Sequence, residues 1–110
     1  RLFAGLRGVH CLGDGGQKIA NYAYFPILIQ ADYPLNRDEL YHKLKEHGVY
    51  ARRYFYPLIT DFPMYRGIPS AQRNNLPVAA DAAEKVLCLP IYPTLTISDQ
   101  QRVAELIARI

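Results

Sequence analysis

The pattern of apolar and polar positions predicts a first helix between Asn36 and Gly48. Asn36 can cap its N-terminus, and Glu39, three residues later, completes a capping box. Leu40 and Leu44 are spaced so that they lie on one face, while charged residues occupy the opposite face. Glycine readily adopts the left-handed conformation that ends a helix, so Gly48 is the predicted stop.

Two further helices are predicted in the second half of the chain. One runs from Pro77 to Lys85, because proline suits the first helical position and four alanines lie within this run. The other begins at Ser98, which can act as the cap, with Gln101 completing a second capping box. Its apolar positions recur at the i, i+3, i+4, i+7 spacing of an amphipathic helix: Val103, Leu106, Ile107 and Ile110.

Three apolar runs, residues 21–30, 49–55 and 86–90, are predicted strands. Pro26 has no N–H to donate, so we expect an edge position or a bulge there. The third run is almost entirely apolar, which favours the centre of the sheet. The order of strands and helices predicts an α+β domain with a small, mostly antiparallel sheet and helices packed on one face.

The connection between the second strand and the second helix, residues 56–75, is long for a compact domain. Loops of more than about 12–15 residues without secondary structure are usually functional or disordered. This loop contains Phe62, Met64 and Tyr65. We therefore expect it to be ordered against a partner.

Length and composition favour one domain, residues 1–110, with enough apolar residues for a core. The formal net charge of +3 is far from that of a dedicated nucleic-acid binder, and no apolar run reaches the roughly 20 residues that span a membrane. We therefore expect no nucleic-acid partner and no membrane partner.

Cys11 and Cys88 stand in apolar surroundings without a CxxC pair, which favours free thiols in a cytoplasmic protein.

Few residues are candidates for metal or nucleophilic chemistry. His42 and His47 are five positions apart on one helix, so they do not share a face, and no metal site is predicted. The serines and cysteines lack a nearby base and orienting group. The lysines have the pattern of surface charges rather than of Schiff-base residues.

Residues 52–56, Arg-Arg-Tyr-Phe-Tyr, are the one candidate binding segment. Strand alternation would place Arg53 and Phe55 on one face, and Tyr54 and Tyr56 on the other. In one interpretation the aromatic side chains are core and the arginines surround it. In the other, Arg53, Tyr54 and Tyr56 line a pocket for an anionic ligand that contains a ring, because arginine binds phosphates and tyrosine stacks.

Three function classes remain open from these residues alone: part of an enzyme, a stand-alone small α+β module that binds a small ligand or RNA, and a purely structural domain. An aromatic and basic strand can stack RNA bases. The glycine-punctuated pattern of an RNA-recognition sheet is missing here, and no second aromatic segment pairs with this one.

Three segments resemble the C-terminal small domain of the DegT/DnrJ/EryC1/StrS family of nucleotide-sugar aminotransferases. The first is residues 52–58 with residues 62–65, the second is residues 76–93, and the third is residues 95–101. The second is the most specific, with its Leu-Pro start and its Leu-Cys-Leu-Pro-Ile-Tyr-Pro end. One departure is Thr60, which stands where many members have a histidine.

The resemblance implies a fold type I enzyme that depends on pyridoxal 5′-phosphate. Such an enzyme transfers an amino group from glutamate to a nucleotide-linked keto-deoxysugar, here a dTDP-3-keto-6-deoxyhexose. The cofactor would be held by a Schiff-base lysine in a large N-terminal domain upstream of Arg1. This chain would then contain no catalytic residue and be inactive by itself.

The resemblance also implies which residues of this chain meet the substrate. Arg53, Tyr54, Tyr56 and Tyr65 would line one wall of the nucleotide-sugar site. The partners would be the large N-terminal domain of the same protein and a second copy of the enzyme in a homodimer.

Overall fold

The computed structural model of the protein describes residues 2–13, 21–54 and 56–110. Three antiparallel strands form one sheet in the order β1-β2-β3: β1 Val9–Cys11, β2 Phe25–Ile29 and β3 Val86–Leu89. In the described residues three α-helices accompany it: α1 Arg37–Glu46, α2 Pro77–Lys85 and α3 Ile97–Ala108. The predicted α+β class with a small antiparallel sheet is confirmed. No helix in the described part of the chain is long and apolar enough to cross a membrane.

The core lies between one face of the sheet and the helices α1 and α3. Ile27 pairs with Leu87 across β2 and β3, and both side chains are fully buried. Leu40 and Leu44 of α1 and Ile107 of α3 join the same cluster. Burial of each such side chain contributes about 1.5–3 kcal/mol, so this contact between layers stabilises the fold.

Pro26 lies within the central strand at a point where its missing N–H costs no hydrogen bond. It faces Cys88 of β3, but the N–H and C=O of Cys88 both bond to Arg52 on the other side. The Pro26–Cys88 pair is therefore a non-hydrogen-bonded one, and position 26 turns its main chain towards β1. The expected edge position or bulge is wrong, because β2 is the central strand and its register with β3 continues through Pro26; the proline is tolerated because the pairing with β1 ends at Ile27, opposite Cys11.

The predicted central position of β3 is wrong. All four of its residues are buried, yet β2 occupies the centre, and beyond β3 lies a single isolated bridge between Arg52 and Cys88. The predicted strand over residues 49–55 is reduced to that bridge, because the chain turns at Tyr54; Phe55 lies outside the described residues. The burial of β3 comes from packing rather than from two flanking strands.

Helix α1 begins and ends as the sequence predicts. The Asn36 side chain accepts from the Glu39 N–H at 2.9 Å, and the Glu39 carboxylate accepts from the Asn36 N–H at 2.9 Å. Gly48 follows the helix with φ of +76°, a conformation that glycine adopts at little cost. Helix α2 has the predicted bounds, with Pro77 in its first turn.

Helix α3 starts earlier than predicted, and its cap is Thr96 instead of Ser98. The Thr96 hydroxyl accepts from the N–H of Asp99 at 3.1 Å, and the Thr96 backbone is extended, as a capping residue requires. Ser98 lies inside the first turn, where its hydroxyl cannot take the capping role. The error arose because Thr96 and Ser98 are two residues apart and both suit the role.

The long loop is ordered by its own hydrogen bonds. It contains three single-turn 3₁₀ helices: Ile59–Asp61, Pro69–Ala71 and Arg73–Asn75. The Gln72 amide donates to the main-chain oxygens of Arg66 and Ile68 at 3.0 and 3.3 Å. Arg73 pairs with Asp61 and with Glu84 of α2, at 2.9 and 2.8 Å.

Several large apolar side chains remain exposed on this loop: Ile59, Phe62, Met64, Tyr65 and Ile68. The partner that we expected to order it stays a prediction.

Both cysteines are free thiols, as predicted. Cys88 is buried in β3, and Cys11 is half-buried in β1. Burial raises the pKa of each thiol above its ordinary value. A raised pKa keeps the thiol protonated and unreactive, which fits packing roles.

Candidate functional site

Arg53 lies against two tyrosine rings and one carboxylate. Its guanidinium carbon is 4.6 Å from the centroid of the Tyr56 ring and 4.9 Å from that of Tyr41. Its Nη1 atom is 3.3 Å from Oδ1 of Asp38, near the start of α1. Its side chain is 32% exposed. Cation–π contacts of this kind strengthen as water is excluded, so this partly buried position favours a defined orientation.

A second arginine, Arg37, lies on the buried side of the same group. It is only 3% exposed, and its guanidinium carbon is 4.8 Å from the Tyr56 ring centroid. Its Nε donates to Asp38 Oδ1 at 2.8 Å, and its Nη1 donates to the main-chain oxygens of Ala83 and Val86 at 2.7 and 3.2 Å. A buried charge is tolerated only when it is paired and hydrogen-bonded, and Arg37 meets both conditions.

We call these five residues the Arg53 cluster: Arg37, Asp38, Tyr41, Arg53 and Tyr56. Two guanidinium groups and one carboxylate leave the cluster with one net positive charge. In the part of the chain that the structure describes, Nε and Nη2 of Arg53 have no acceptor. These two atoms form a planar fork that fits a carboxylate or phosphate, and the Tyr56 ring beside it is 47% exposed. The cluster can therefore bind an anion next to an exposed aromatic ring.

Among the described residues, two of the four predicted site residues, Arg53 and Tyr56, lie in direct side-chain contact. Arg53 and Tyr56 are in contact, although strand alternation placed them on opposite faces; that expectation is wrong because residues beyond Arg52 leave the sheet. Tyr54 packs on Tyr24, with ring centroids 4.9 Å apart. Tyr65 is 41% exposed on the long loop, and among the described residues no side-chain hydrogen bond or ring contact joins it to Arg53.

Our sequence analysis missed Arg37, Asp38 and Tyr41 as members of the site. A signal for Arg37 was available. Positions 37, 40, 41 and 44 follow the i, i+3, i+4, i+7 spacing of the buried face of α1, and an arginine on that face needs a buried partner. Asp38 carried no such signal, because an acidic residue in a first turn is ordinarily explained by the helix dipole.

The described lysines do not fit the Schiff base that a pyridoxal-phosphate enzyme needs. Lys43 and Lys45 are exposed on α1, and Lys85 is paired with Asp81 at 2.9 Å. None of the three is buried, whereas a Schiff-base lysine is activated by an enclosed site. Lys18 lies outside the described residues. Within the described ranges, no group of three or more histidine, cysteine or acidic residues could hold a metal ion.

A family model matches residues 1–108, nearly the whole chain. The chain belongs to the DegT/DnrJ/EryC1/StrS aminotransferase family. The family consists of pyridoxal-phosphate-dependent aminotransferases. The resemblance stated from residues 52–101 is thereby confirmed, and the Arg53 cluster is a feature of a chain from this family.

Two relatives of this chain are transaminases by name. The chain is 47% identical over 94 residues to a dTDP-4-amino-4,6-dideoxy-D-glucose transaminase of Escherichia coli, and 44% identical over 91 residues to one of Shigella dysenteriae. These matches cover 86% and 83% of this chain, but only 25% and 24% of the relatives. The chain thus spans about a quarter of the length of the curated relatives that it matches.

A solved structure has the same fold. The aminotransferase TlmJ from Streptoalloteichus hindustanus matches with a TM-score of 0.78 at 24% sequence identity. The match covers 98% of this chain and 27% of that one. The α+β arrangement of this chain therefore recurs as one part of a larger aminotransferase.

Proposed function

We propose that this chain is the C-terminal small domain of a sugar aminotransferase, in which the Arg53 cluster binds the anionic part of a nucleotide-linked keto-deoxysugar. The supporting observation is the fork of Arg53 formed by Nε and Nη2, which has no acceptor among the described residues and is held beside the Tyr56 ring by Asp38. Arginine suits diphosphates, which carry adjacent oxyanions, and the tyrosine ring offers a stacking surface for a base or a sugar. Tyr54 and Tyr65 remain proposed substrate contacts.

The proposed reaction exchanges an amino group for a keto oxygen. Glutamate becomes 2-oxoglutarate, and the keto carbon of the sugar becomes an amine-bearing carbon. The sequence resemblance suggested a dTDP-linked 3-keto sugar. The names of the two relatives contain a 4-amino-4,6-dideoxy sugar, which favours the dTDP-linked 4-keto-6-deoxy isomer.

We propose that the cofactor is held by the large N-terminal domain, as the family resemblance implies; Lys43, Lys45 and Lys85 do not fit it, and Lys18 lies outside the described residues. When bound there, pyridoxal phosphate supplies the electron sink and carries the amino group. The contribution of this chain is to bind and orient the sugar nucleotide through Arg53 and Tyr56. We further propose a homodimer and a cytoplasmic enzyme.

The test uses the natural gene product with glutamate and each dTDP-keto-6-deoxyhexose isomer. We expect an amino sugar from one isomer. Arg53→Ala should raise the Michaelis constant for the sugar nucleotide about tenfold or more, the size of one lost charge-assisted contact. Arg52→Ala is the matched control, because Arg52 is exposed and bonds to Cys88 through its main chain only.

Two results would contradict the proposal. One is no amino sugar from either isomer. The other is an unchanged Michaelis constant in Arg53→Ala. Separately, a natural product no longer than this chain would contradict the two-domain assignment and favour a stand-alone binding module. Intact mass measurement of that product decides the point.

A further inference from the structure

We propose that Asp38 is a positioning residue that sets the orientation of Arg53 for anion binding. The inference rests on the proposed function, because it concerns how Arg53 meets the sugar nucleotide. Asp38 itself has no need to touch the substrate. Its role follows from its contacts within the Arg53 cluster.

The Asp38 carboxylate joins the two arginines through one oxygen. Oδ1 accepts from Nε of Arg37 at 2.8 Å and from Nη1 of Arg53 at 3.3 Å. Both guanidinium groups also lie over the ring of Tyr56, within 5 Å of its centroid. Two positive groups around one ring repel each other, and the shared carboxylate offsets that repulsion.

The carboxylate is itself held from the buried side. Arg37 fixes it, and Arg37 is fixed in turn by the main-chain oxygens of Ala83 and Val86. This gives a continuous set of bonds from the end of α2 and the start of β3 to the partly buried Arg53. The side chain of Asp38, 48% exposed, is the carboxylate that links buried Arg37 to Arg53, beside the ring of Tyr56 that both arginines contact.

The bond to Asp38 determines which atoms of Arg53 can bind a ligand. Asp38 occupies Nη1, so Nε and Nη2 are the pair available for a bidentate contact. A free arginine has many rotamers, and holding one of them in advance lowers the entropic cost of binding. The bond to Asp38 therefore improves affinity without adding a contact to the ligand.

The test is a double-mutant cycle in the natural gene product, with dTDP as the probe and calorimetry as the measurement. Asp38→Asn keeps the shape of the side chain and removes its charge. We expect it to weaken dTDP binding about tenfold. In an Arg53→Ala background, the same change should have no further effect, because its influence passes through Arg53. Asp38→Glu keeps the charge and should stay within about threefold of the wild type.

A purely structural role gives a different pattern. If Asp38→Asn weakens binding equally in both backgrounds, or leaves it unchanged in the wild type, the positioning role is overturned. If Arg53→Ala alone leaves dTDP affinity unchanged, the proposed function fails at its site, and the inference fails with it. If dTDP affinity falls in Arg53→Ala but not in Asp38→Asn, the positioning role of Asp38 is overturned and the proposed function stands.

Discussion

The hydroxyl of Tyr33 donates a 2.8 Å hydrogen bond to the main-chain oxygen of Ile107. Tyr33 lies in the turn that follows β2, and Ile107 lies near the end of α3, so the bond ties that turn to the last helix. Both residues are buried. Burial raises the pKa of Tyr33 to about 12, because ionisation would place a charge in an apolar environment.

The raised pKa of Tyr33 predicts that the folded state loses stability at alkaline pH. The pKa of Tyr33 is higher in the folded state than the ordinary value of 10, so its contribution is complete below pH 10 and is lost as pH rises towards 12. Tyr33→Phe should cost about 1 kcal/mol at neutral pH, and this difference from the wild type should shrink above pH 10. Urea unfolding of the natural gene product from pH 8 to 11 measures it. Tyr50→Phe, at an exposed tyrosine, is the control; a Tyr33→Phe deficit that stays constant across this range would contradict the assignment.

Gly8 has a packing requirement that Gly5 lacks. Both have positive φ, +78° and +76°. A Cβ on Gly8 would lie 2.4 Å from the main-chain nitrogen of Tyr33, whereas a Cβ on Gly5 meets nothing within 4 Å. Both alanine variants therefore bear the same backbone strain, and only Gly8→Ala adds a clash with main chain. We expect Gly8→Ala to lower the unfolding midpoint well beyond Gly5→Ala in thermal denaturation; equal shifts would argue against the close approach.

The two candidate caps of α3 can be separated by substitution. Thr96→Ala removes the acceptor for the Asp99 N–H and should cost about 1 kcal/mol. Ser98→Ala replaces a residue inside the first turn and should be within about 0.5 kcal/mol of the wild type. Chemical denaturation of both variants checks the assignment. The reverse order of costs would restore Ser98 as the cap.

Arg37 has a structural role that does not depend on any ligand. Ala83 lies in the last turn of α2, where main-chain oxygens have no helical partner, and Arg37 supplies one. Arg37→Met keeps the length of the side chain but removes the donor to the main-chain oxygens of Ala83 and Val86 and one of the two arginine partners of Asp38, which should cost about 2–4 kcal/mol. Arg102→Met, which removes an exposed arginine bonded to the main-chain oxygen of His47, should cost under about 1 kcal/mol. Denaturant unfolding of both variants compares them, and similar costs would contradict the buried role.

The candidate site was only partly predictable from the chain. Arg53 and Tyr56 were identified because a run of arginines and aromatic residues is unusual in a small domain. The contact between these two residues was not predicted. Strand alternation assumes that pairing continues past Arg52, whereas the chain turns at Tyr54. Tyr65 was inferred from the family resemblance, and its role remains untested.

The sequence by itself determined the features that depend on neighbours within one turn. The capping box of Asn36 and Glu39 closes over three residues, and α2 has its predicted bounds from Pro77 to Lys85. The family was also readable, because its segments are contiguous runs of residues. These signals are local, so each could be evaluated without the rest of the fold.

Only the tertiary structure decided which distant residues meet. Arg37 bonds to Ala83, 46 positions away, and Tyr33 bonds to Ile107, 74 positions away. The place of β3 at the end of the sheet likewise follows from packing, because buried strands have the same apolar pattern at the centre and at a covered edge. Such contacts depend on how the layers pack against one another, which no local pattern specifies.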